Sequence, residues 1–431
     1  MTLPLITIVT ALRSRTTSYR FRDDSSTDRA DLLLATAVPV YGETIAISLT
    51  LSSGPPVWAE CPAPLADDPP LEQGLLLVQE VIRPLLDQQP LTPFENVRRL
   101  LAAVDRLTIP QTIIQERPAA AEEVGGPLSR RELFTGRLAA APQIEEVVVE
   151  RPLPTYLRLG IGEALLRAAA QAGGQSVARL IRGGFNFPAS DRLVPIQLTV
   201  GANAPSQVVA PLYRPPAQSY LISRSRLEAR LGTTGERLQR FVRQWRQAHN
   251  DDAYRPALYL DLGGALGQLT GHNMGRLLGL LYGLKQVVEP FPLAVVDPLL
   301  GTDRDNQIAL LADLRRLLKM RRLDVHLLAR HWLRQPDDIA AYLGAGVVDG
   351  LHLEPLRLGS WLALIEGLIV CQERETAVLL GDRLQTTLQS LELLAQIAAA
   401  GQPHLVVAPL GQPHTGAMVH NVILRTALEM V

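Results

Sequence analysis

The chain has 431 residues, which is enough for two domains and a well-buried core. Its formal net charge of -1 and pI near 6.7 give no electrostatic case for nucleic-acid binding. No stretch reaches the roughly 18 unbroken apolar residues of a membrane span and the N-terminus lacks a signal pattern, so we expect a cytoplasmic protein without membrane contact.

The basic residues are almost all arginines. Of the 42 lysines and arginines, only Lys285 and Lys319 are lysines. A guanidinium stays protonated and cannot serve as an ordinary proton-abstracting base, whereas a desolvated lysine can. Both lysines fall in predicted helices, so we expect no lysine base at the end of a strand.

Cys61 and Cys371 are too few and too distant for a disulfide framework or a zinc site.

The beginning of the chain alternates apolar and polar residues in three pieces separated by turn formers, which predicts a three-stranded antiparallel meander. The predicted strands are residues 6–10, 32–40 and 44–51. Two amphipathic helices are predicted next, over residues 72–86 and 94–107, with Pro93 as the first helical position of the second.

Residues 118–146 are rich in Ala, Pro and Gly and indicate an inserted solvated loop, with a substrate-covering flap as the alternative. With this insertion, residues 1–152 form a predicted α+β capping domain.

From residue 153 to residue 431, helical patterns alternate with short apolar strands. The predicted helices cover residues 155–172, 176–182, 235–249, 275–288, 307–320, 336–343 and a segment after residue 416. The predicted strands begin near residues 194, 219, 258, 293, 323, 347, 376 and 404. This alternation predicts a parallel sheet closed as a (β/α)8-type barrel.

Polar residues stand where the predicted barrel strands end, which is how a barrel delivers functional side chains to its C-terminal mouth. We expect these residues to converge on one site. They are Asp261, Asp297, Arg330 with His331, Glu354, and Asp382 with Arg383.

The order of these parts, together with residues 153–165, 230–238, 260–267 and 381–387, resembles the methylaspartate ammonia-lyase family of the enolase superfamily. The resemblance implies an enolase-like (β/α)8-type barrel preceded by an α+β capping domain. It also implies a Mg-dependent lyase that abstracts the proton next to a carboxylate, stabilises the enediolate on the metal and expels ammonia.

The metal position departs from the pattern of the family. By the resemblance, three strand ends carry metal carboxylates, and Asp261 and Asp297 match the first two. The third falls at Arg330, which cannot ligate Mg²⁺. We therefore expect Arg330 to occupy the cation position and to bond Asp261, Asp297 or both.

The groups for proton transfer and substrate binding depart as well. The catalytic lysine of the family aligns with Glu354, its histidine on the second barrel strand with Ser219, and its strand-one glutamine near Thr199. The hydroxyl and thiol pair that helps bind the substrate carboxylate falls at Arg383 and Leu384. His352, by strand alternation on the same face as Glu354, is a further acid–base candidate.

Two functions fit this pattern. The first is a diverged family member with a degenerate active site, which needs no cofactor and binds a small carboxylate or amino acid through Arg330, Arg383, Ser219 and Thr199, or acts through its surfaces. The second is an active carbon–nitrogen or carbon–oxygen lyase with a rearranged site, using Glu354 or His352 and, if the metal is kept, Mg²⁺ on Asp261 and Asp297. The resemblance also implies a homodimer.

Overall fold

A computed structural model of the chain describes residues 4–22, 36–64, 68–117, 143–190, 192–199, 215–221, 227–249, 251, 253–382 and 387–408. Three predicted features lie outside these residues: most of the loop over 118–146, the helix after residue 416, and Arg383 with Leu384.

The cap begins with a three-stranded antiparallel sheet, in the order β1 (Ile6–Arg22), β2 (Thr36–Leu51), β3 (Val57–Glu60). The three-stranded antiparallel arrangement is confirmed, but the predicted strands 32–40 and 44–51 are wrong, since residues 36–51 form one strand and the third strand, β3, lies outside the predicted pieces. β2 continues through the expected turn because Tyr41 and Gly42 pair in register with Thr17 and Thr16 of β1. Cross-strand pairing outweighs the local turn preference.

The predicted cap helices are confirmed, except that Pro93 is the N-cap of the second helix and not its first helical residue. The first is α1 (Leu71–Leu77), a π-helical turn (Val78–Ile82) and α2 (Arg83–Leu86), and the second is α3 (Phe94–Arg106). β4 (Thr108–Arg117) and β5 (Gln143–Pro152) then pair antiparallel as a two-stranded ribbon. Residues 143–146, which the sequence assigned to the loop, therefore belong to a strand.

Eight parallel strands form a closed barrel, as the sequence predicts. They are β6 (Ile196–Thr199), β7 (Ala217–Leu221), β8 (Ala257–Asp261), β9 (Leu293–Val296), β10 (His326–Ala329), β11 (Gly350–Leu353), β12 (Ala377–Leu380) and β13 (Leu405–Val407). Each strand pairs with the next in chain order, and β13 closes the ring on β6.

The helices of this region are α4 (Thr155–Ala172), α5 (Val177–Gly184), α6 (Leu227–Leu231), α7 (Glu236–Ala248), α8 (Ala265–Leu269), α9 (Met274–Val288), α10 (Arg304–Met320), α11 (Pro336–Ala345), α12 (Pro355–Leu358), α13 (Trp361–Glu373) and α14 (Leu388–Gly401). Among the described helices, none is both long enough and apolar enough to cross a bilayer.

The two faces of each barrel strand pack differently. Alternate residues face the helices, and the others fill the barrel with a small apolar cluster: Ala217, Tyr259, Ala294, Val296, Leu328, Leu379, Leu405 and Val407. Residues two positions beyond Tyr259 and Leu328 on the inner face are Asp261 and Arg330. The strand ends therefore place polar side chains above an apolar floor.

Helix α4 joins the cap to the barrel. Its buried face packs against the cap strands, and the indole of Trp361 on α13 donates to the carbonyl of Leu159, 2.9 Å away. Glu163 is fully buried in α4 and accepts from Ser390 Oγ and Arg167 Nε, each at 2.9 Å. Burial raises the pKa of Glu163 to about 7. Through Ser390, these hydrogen bonds join α4 to α14, the helix that follows β12.

Candidate functional site at the barrel mouth

Arg330 lies at the centre of the barrel mouth. Its Nη1 atom is 3.0 Å from Asp261 Oδ2 and 3.3 Å from Glu354 Oε1, and its Nε atom is 4.0 Å from Asp297 Oδ2. Only 13% of the arginine side chain is exposed, and both aspartates are buried. Although burial opposes it, the carboxylates raise the pKa of Arg330, so the guanidinium stays charged. One cation thus holds carboxylates from three different strand ends together.

Asp297 reaches this cluster through an unusual backbone conformation. Its φ of +44° lies in the left-handed region, which costs a residue other than glycine about 1–2 kcal/mol. The carboxylate accepts from the backbone N–H groups of Arg330, at 3.3 Å, and His331, at 2.9 Å. Burial raises the pKa of Asp297 to about 6 despite the opposing charge of Arg330. Both carboxylate oxygens of Asp297 therefore accept hydrogen bonds from the backbone that follows β10.

Glu354 lies between two arginines. Its Oε1 atom faces Arg330, and its Oε2 atom accepts from Arg357 Nε at 3.0 Å, three residues along the chain. Arg357 is held in place because its Nη1 group also donates to the carbonyl of His331, 3.0 Å away. Burial favours the neutral acid, but the charges of Arg330, His352 and Arg357 outweigh it and lower the pKa of Glu354. Glu354 is thus held as a carboxylate.

Two further titratable groups border Glu354. His352 is fully buried, and its Nε2 is 2.8 Å from the carbonyl of Gly381, so this nitrogen carries the proton and donates it there. Asp382 accepts from the backbone N–H of Leu356 at 3.1 Å. Burial and the charge of Glu354 raise the pKa of Asp382 well above its ordinary value. Asp382 is therefore favoured as a neutral acid beside an ionised glutamate.

The opposite wall of the barrel carries neutral polar groups. Ser219 on β7 and Gln197 on β6 are fully buried and lie on the inner face. Neither the serine hydroxyl nor either amide atom of Gln197 has a hydrogen-bond partner among the residues that the structure describes. A buried polar group without a partner costs about 1–3 kcal/mol, so these groups are available to a bound molecule.

The sequence analysis missed Gln197, Arg357 and the inward-facing Tyr259. Gln197 stands two residues before Thr199 on the same strand face, so strand alternation could have identified it. The structure places Thr199 at the end of β6, paired with Ser219, and its side chain lies outside the described part, as does all of Arg383. His331 contributes its backbone N–H and carbonyl groups to the cluster.

The carboxylates of the mouth surround a guanidinium group. Mg²⁺ demands close to octahedral oxygen coordination at about 2.0–2.1 Å, and a guanidinium stands between the carboxylates that would supply the oxygens. Within the described ranges, no group of three or more His, Cys, Asp or Glu side chains is arranged to hold a metal ion. Both lysines lie at the other end of the barrel, since Lys285 pairs with Asp324 just before β10 and Lys319 lines a cavity at the same end.

The closed eight-stranded parallel barrel with its N-terminal cap is an enolase-like fold, as the sequence analysis predicts. The structure resembles β-methylaspartase from Clostridium tetanomorphum in its Mg complex, with a TM-score of 0.73, 19% identity and 98% of each chain covered. It resembles Citrobacter amalonaticus methylaspartate ammonia lyase containing (2S,3S)-3-methylaspartic acid, with a TM-score of 0.75, 18% identity, and 99% of this chain and 98% of that chain covered.

Sequence comparison gives the same resemblance. Residues 220–430 match the family described as methylaspartate ammonia-lyase C-terminus. Methylaspartate ammonia-lyase 2 of Carboxydothermus hydrogenoformans is 24% identical over 274 residues, which covers 62% of this chain and 65%, just under two thirds, of that relative. Methylaspartate ammonia-lyase of Haloarcula marismortui is 26% identical over 305 residues, which cover 67% of this chain and 71% of that relative. The chain therefore resembles the methylaspartate ammonia-lyases in the sequence of its C-terminal half and in its fold, as the sequence analysis expects.

Proposed function

We propose that this protein binds a small amino acid in its barrel mouth without a metal, and that it does not catalyse Mg-dependent ammonia elimination. The observation that carries this proposal is the position of Arg330, whose guanidinium contacts Asp261 and Glu354 and lies near Asp297. This cation balances the charge of the carboxylates, and a divalent ion beside it would meet Coulomb repulsion.

Ammonia elimination needs a group that stabilises the enediolate and a base, and the described residues of the mouth do not supply the usual ones. Abstracting a proton next to a carboxylate requires a positive charge that stabilises the enediolate, and a base that takes the proton. Arg330 is already committed to three carboxylates, and neither lysine reaches the mouth. Elimination would therefore proceed without its usual electrostatic stabilisation and without its lysine base.

An active lyase with a rearranged site would have to use Glu354 or His352 as its base. Glu354 is held between two guanidinium groups that stabilise its ionised form, which makes it a weak base. His352 donates its Nε2–H group to the carbonyl of Gly381, so its Nδ1 atom would have to act as the base, and that atom is buried. The observed contacts therefore favour the binding function over this alternative.

The charges of the mouth indicate the kind of ligand. Its described residues include four carboxyl groups but two guanidinium groups. Burial, and after it the charge of a neighbouring carboxylate, raises the pKa values of Asp297 and Asp382. An ammonium group entering near these acids would be stabilised. Ser219 and Gln197 on the opposite wall offer neutral donors to a carboxylate. An amino acid carries both groups. Binding through Arg383 and Thr199 stays a prediction.

Two assays test the proposal. With Mg²⁺ and (2S,3S)-3-methylaspartate, we expect no release of ammonia above the rate of a protein-free control. Calorimetry with L-aspartate, L-glutamate and 3-methylaspartate is expected to detect binding in the presence of a chelator. Mg-dependent ammonia release, or the absence of binding by all three amino acids, would contradict the proposal.

Gln197 offers a variant that separates binding from folding. Because its amide has no partner among the described residues, Gln197→Leu is expected to leave the free energy of unfolding unchanged or to raise it. The same variant is expected to weaken amino-acid binding about tenfold. Loss of stability without loss of affinity would show that the amide serves the fold.

Size-exclusion chromatography with light scattering tests the homodimer, and the cytoplasmic location stays a prediction.

A further inference from the structure

A cavity lies at the end of the barrel opposite the mouth. Its volume is about 620 Å³, a size typical of small-molecule sites. It opens between the C-terminal ends of α7 and α9, where the chain enters β8 and β9. The N-terminal ends of these strands form this end of the barrel, so the cavity is separate from the Arg330 cluster.

Three arginines line this cavity: Arg243, Arg246 and Arg255. None of them has a carboxylate within 4 Å among the residues described, in contrast to Arg304, Arg315 and Arg330, which are paired. Arg246 donates to the carbonyl of Val287 at 3.4 Å, and the other two have no hydrogen-bond partner in the described part of the chain. Their donors are free to bind an anion.

The charge of the cavity is positive after its acids are counted. Asp251 is the one acidic residue among the described lining, so three guanidinium groups leave an excess of two positive charges. The C-terminal ends of α7 and α9 each contribute about half a negative charge, which leaves an excess of about one positive charge. Arginine also presents a planar fork that matches the oxygens of a phosphate.

The inner wall is apolar and rigid. Phe291 is buried and packs edge-on against Trp245, with ring centroids 5.1 Å apart. The ring of His249 is buried as well, with Nδ1 donating to the carbonyl of Trp245 at 2.7 Å and Nε2 accepting from Gln218 at 2.9 Å. Both ring nitrogens are thereby used in the neutral form, and burial lowers the pKa of His249. The wall thus offers apolar contact without adding charge.

We propose that this cavity binds a phosphate-bearing small molecule with at least two negative charges, its phosphate held by Arg243 and Arg255 and its apolar part packed on Phe291. Bidentate bonds from guanidinium groups account for the affinity, and the buried wall accounts for the organic part of the ligand. This site and the mouth use different residues, so each can be tested while the other is intact.

Pyrophosphate is the probe for this site. We expect calorimetry on the full chain to show saturable binding, and the Arg243→Gln/Arg255→Gln double variant to weaken it about tenfold or more. Arg240→Gln is the matched control, because Arg240 is an exposed arginine on the same helix that does not line the cavity. This control is expected to change the affinity less than about twofold.

Three results would overturn the proposal: no saturable binding by the wild-type chain, an equal loss in Arg240→Gln, or equally tight binding of malonate. The second would indicate diffuse surface charge, and the third a site for dicarboxylates. Thermal unfolding of each variant checks that the exposed substitutions leave the fold intact.

Discussion

Replacing Arg330 with methionine is expected to lower the free energy of unfolding by about 3–5 kcal/mol, because the change leaves buried carboxylates without their cation. Arg330 is the shared partner of Asp261 and Glu354 and the nearest cation to Asp297. Methionine fills much of the same space, so the loss reports charge more than volume. Urea unfolding followed by circular dichroism measures it.

The loss is expected to grow with pH. Without Arg330 the pKa of Asp297 rises further above its unfolded value of about 4, and Glu354 loses one of the positive charges that lower its pKa. A group with a raised folded pKa contributes stability below its unfolded pKa and loses that contribution as the pH rises through the folded pKa. The difference between Arg330→Met and wild type should therefore increase from about pH 5 to about pH 8.

Arg316→Met is the control for this experiment, since Arg316 forms an exposed pair with Asp313 on helix α10. A change within about 0.5 kcal/mol is expected there. If Arg330→Met matched this control at both pH values, Arg330 would not be the cation that holds the mouth together.

Replacing Arg330 with aspartate is expected to create magnesium binding. The substitution removes the guanidinium and places a third acidic side chain beside Asp261 and Asp297, which supplies the oxygen ligands and negative charge that Mg²⁺ prefers. Without metal, the added charge should make Arg330→Asp less stable than Arg330→Asn. Mg²⁺ at a hundred times its dissociation constant should raise the free energy of unfolding of Arg330→Asp by about 2.7 kcal/mol.

Arg330→Asn is the matched control, because it has nearly the same size and no charge. Thermal unfolding of both variants with and without Mg²⁺ measures the effect. An identical response of the two variants to Mg²⁺ would contradict the view that the arginine stands in the cation position.

Strand periodicity predicted much of the barrel and its site. Strand alternation predicts Asp261, Arg330 and Glu354 together, because each follows an inward-facing strand position. The structure places Arg330 within hydrogen-bond distance of both carboxylates. Arg357 could not be predicted this way, since it reaches back to Glu354 from the first turn after the strand. The left-handed backbone of Asp297 was also beyond prediction, because it depends on the N–H groups of the next strand end.

In the cap, the local amino-acid pattern does not predict where the strands begin and end. The residues around Gly42 have the composition of a turn, yet they pair with β1 for the length of β2. The strand Val57–Glu60 follows Pro55-Pro56 and has four residues, too few for an alternating pattern to stand out. The register of long ribbons is decided by pairing partners that are distant in sequence, and no short window contains that information.

A titration of the wild-type chain with Mn²⁺, followed by electron paramagnetic resonance of the free ion, tests the central claim most directly. With Arg330 among the carboxylates, we expect no saturable binding in the mouth, and an identical curve for the Asp261→Asn variant. One Mn²⁺ bound per wild-type chain and lost in Asp261→Asn would show instead that the mouth of this barrel is a metal site.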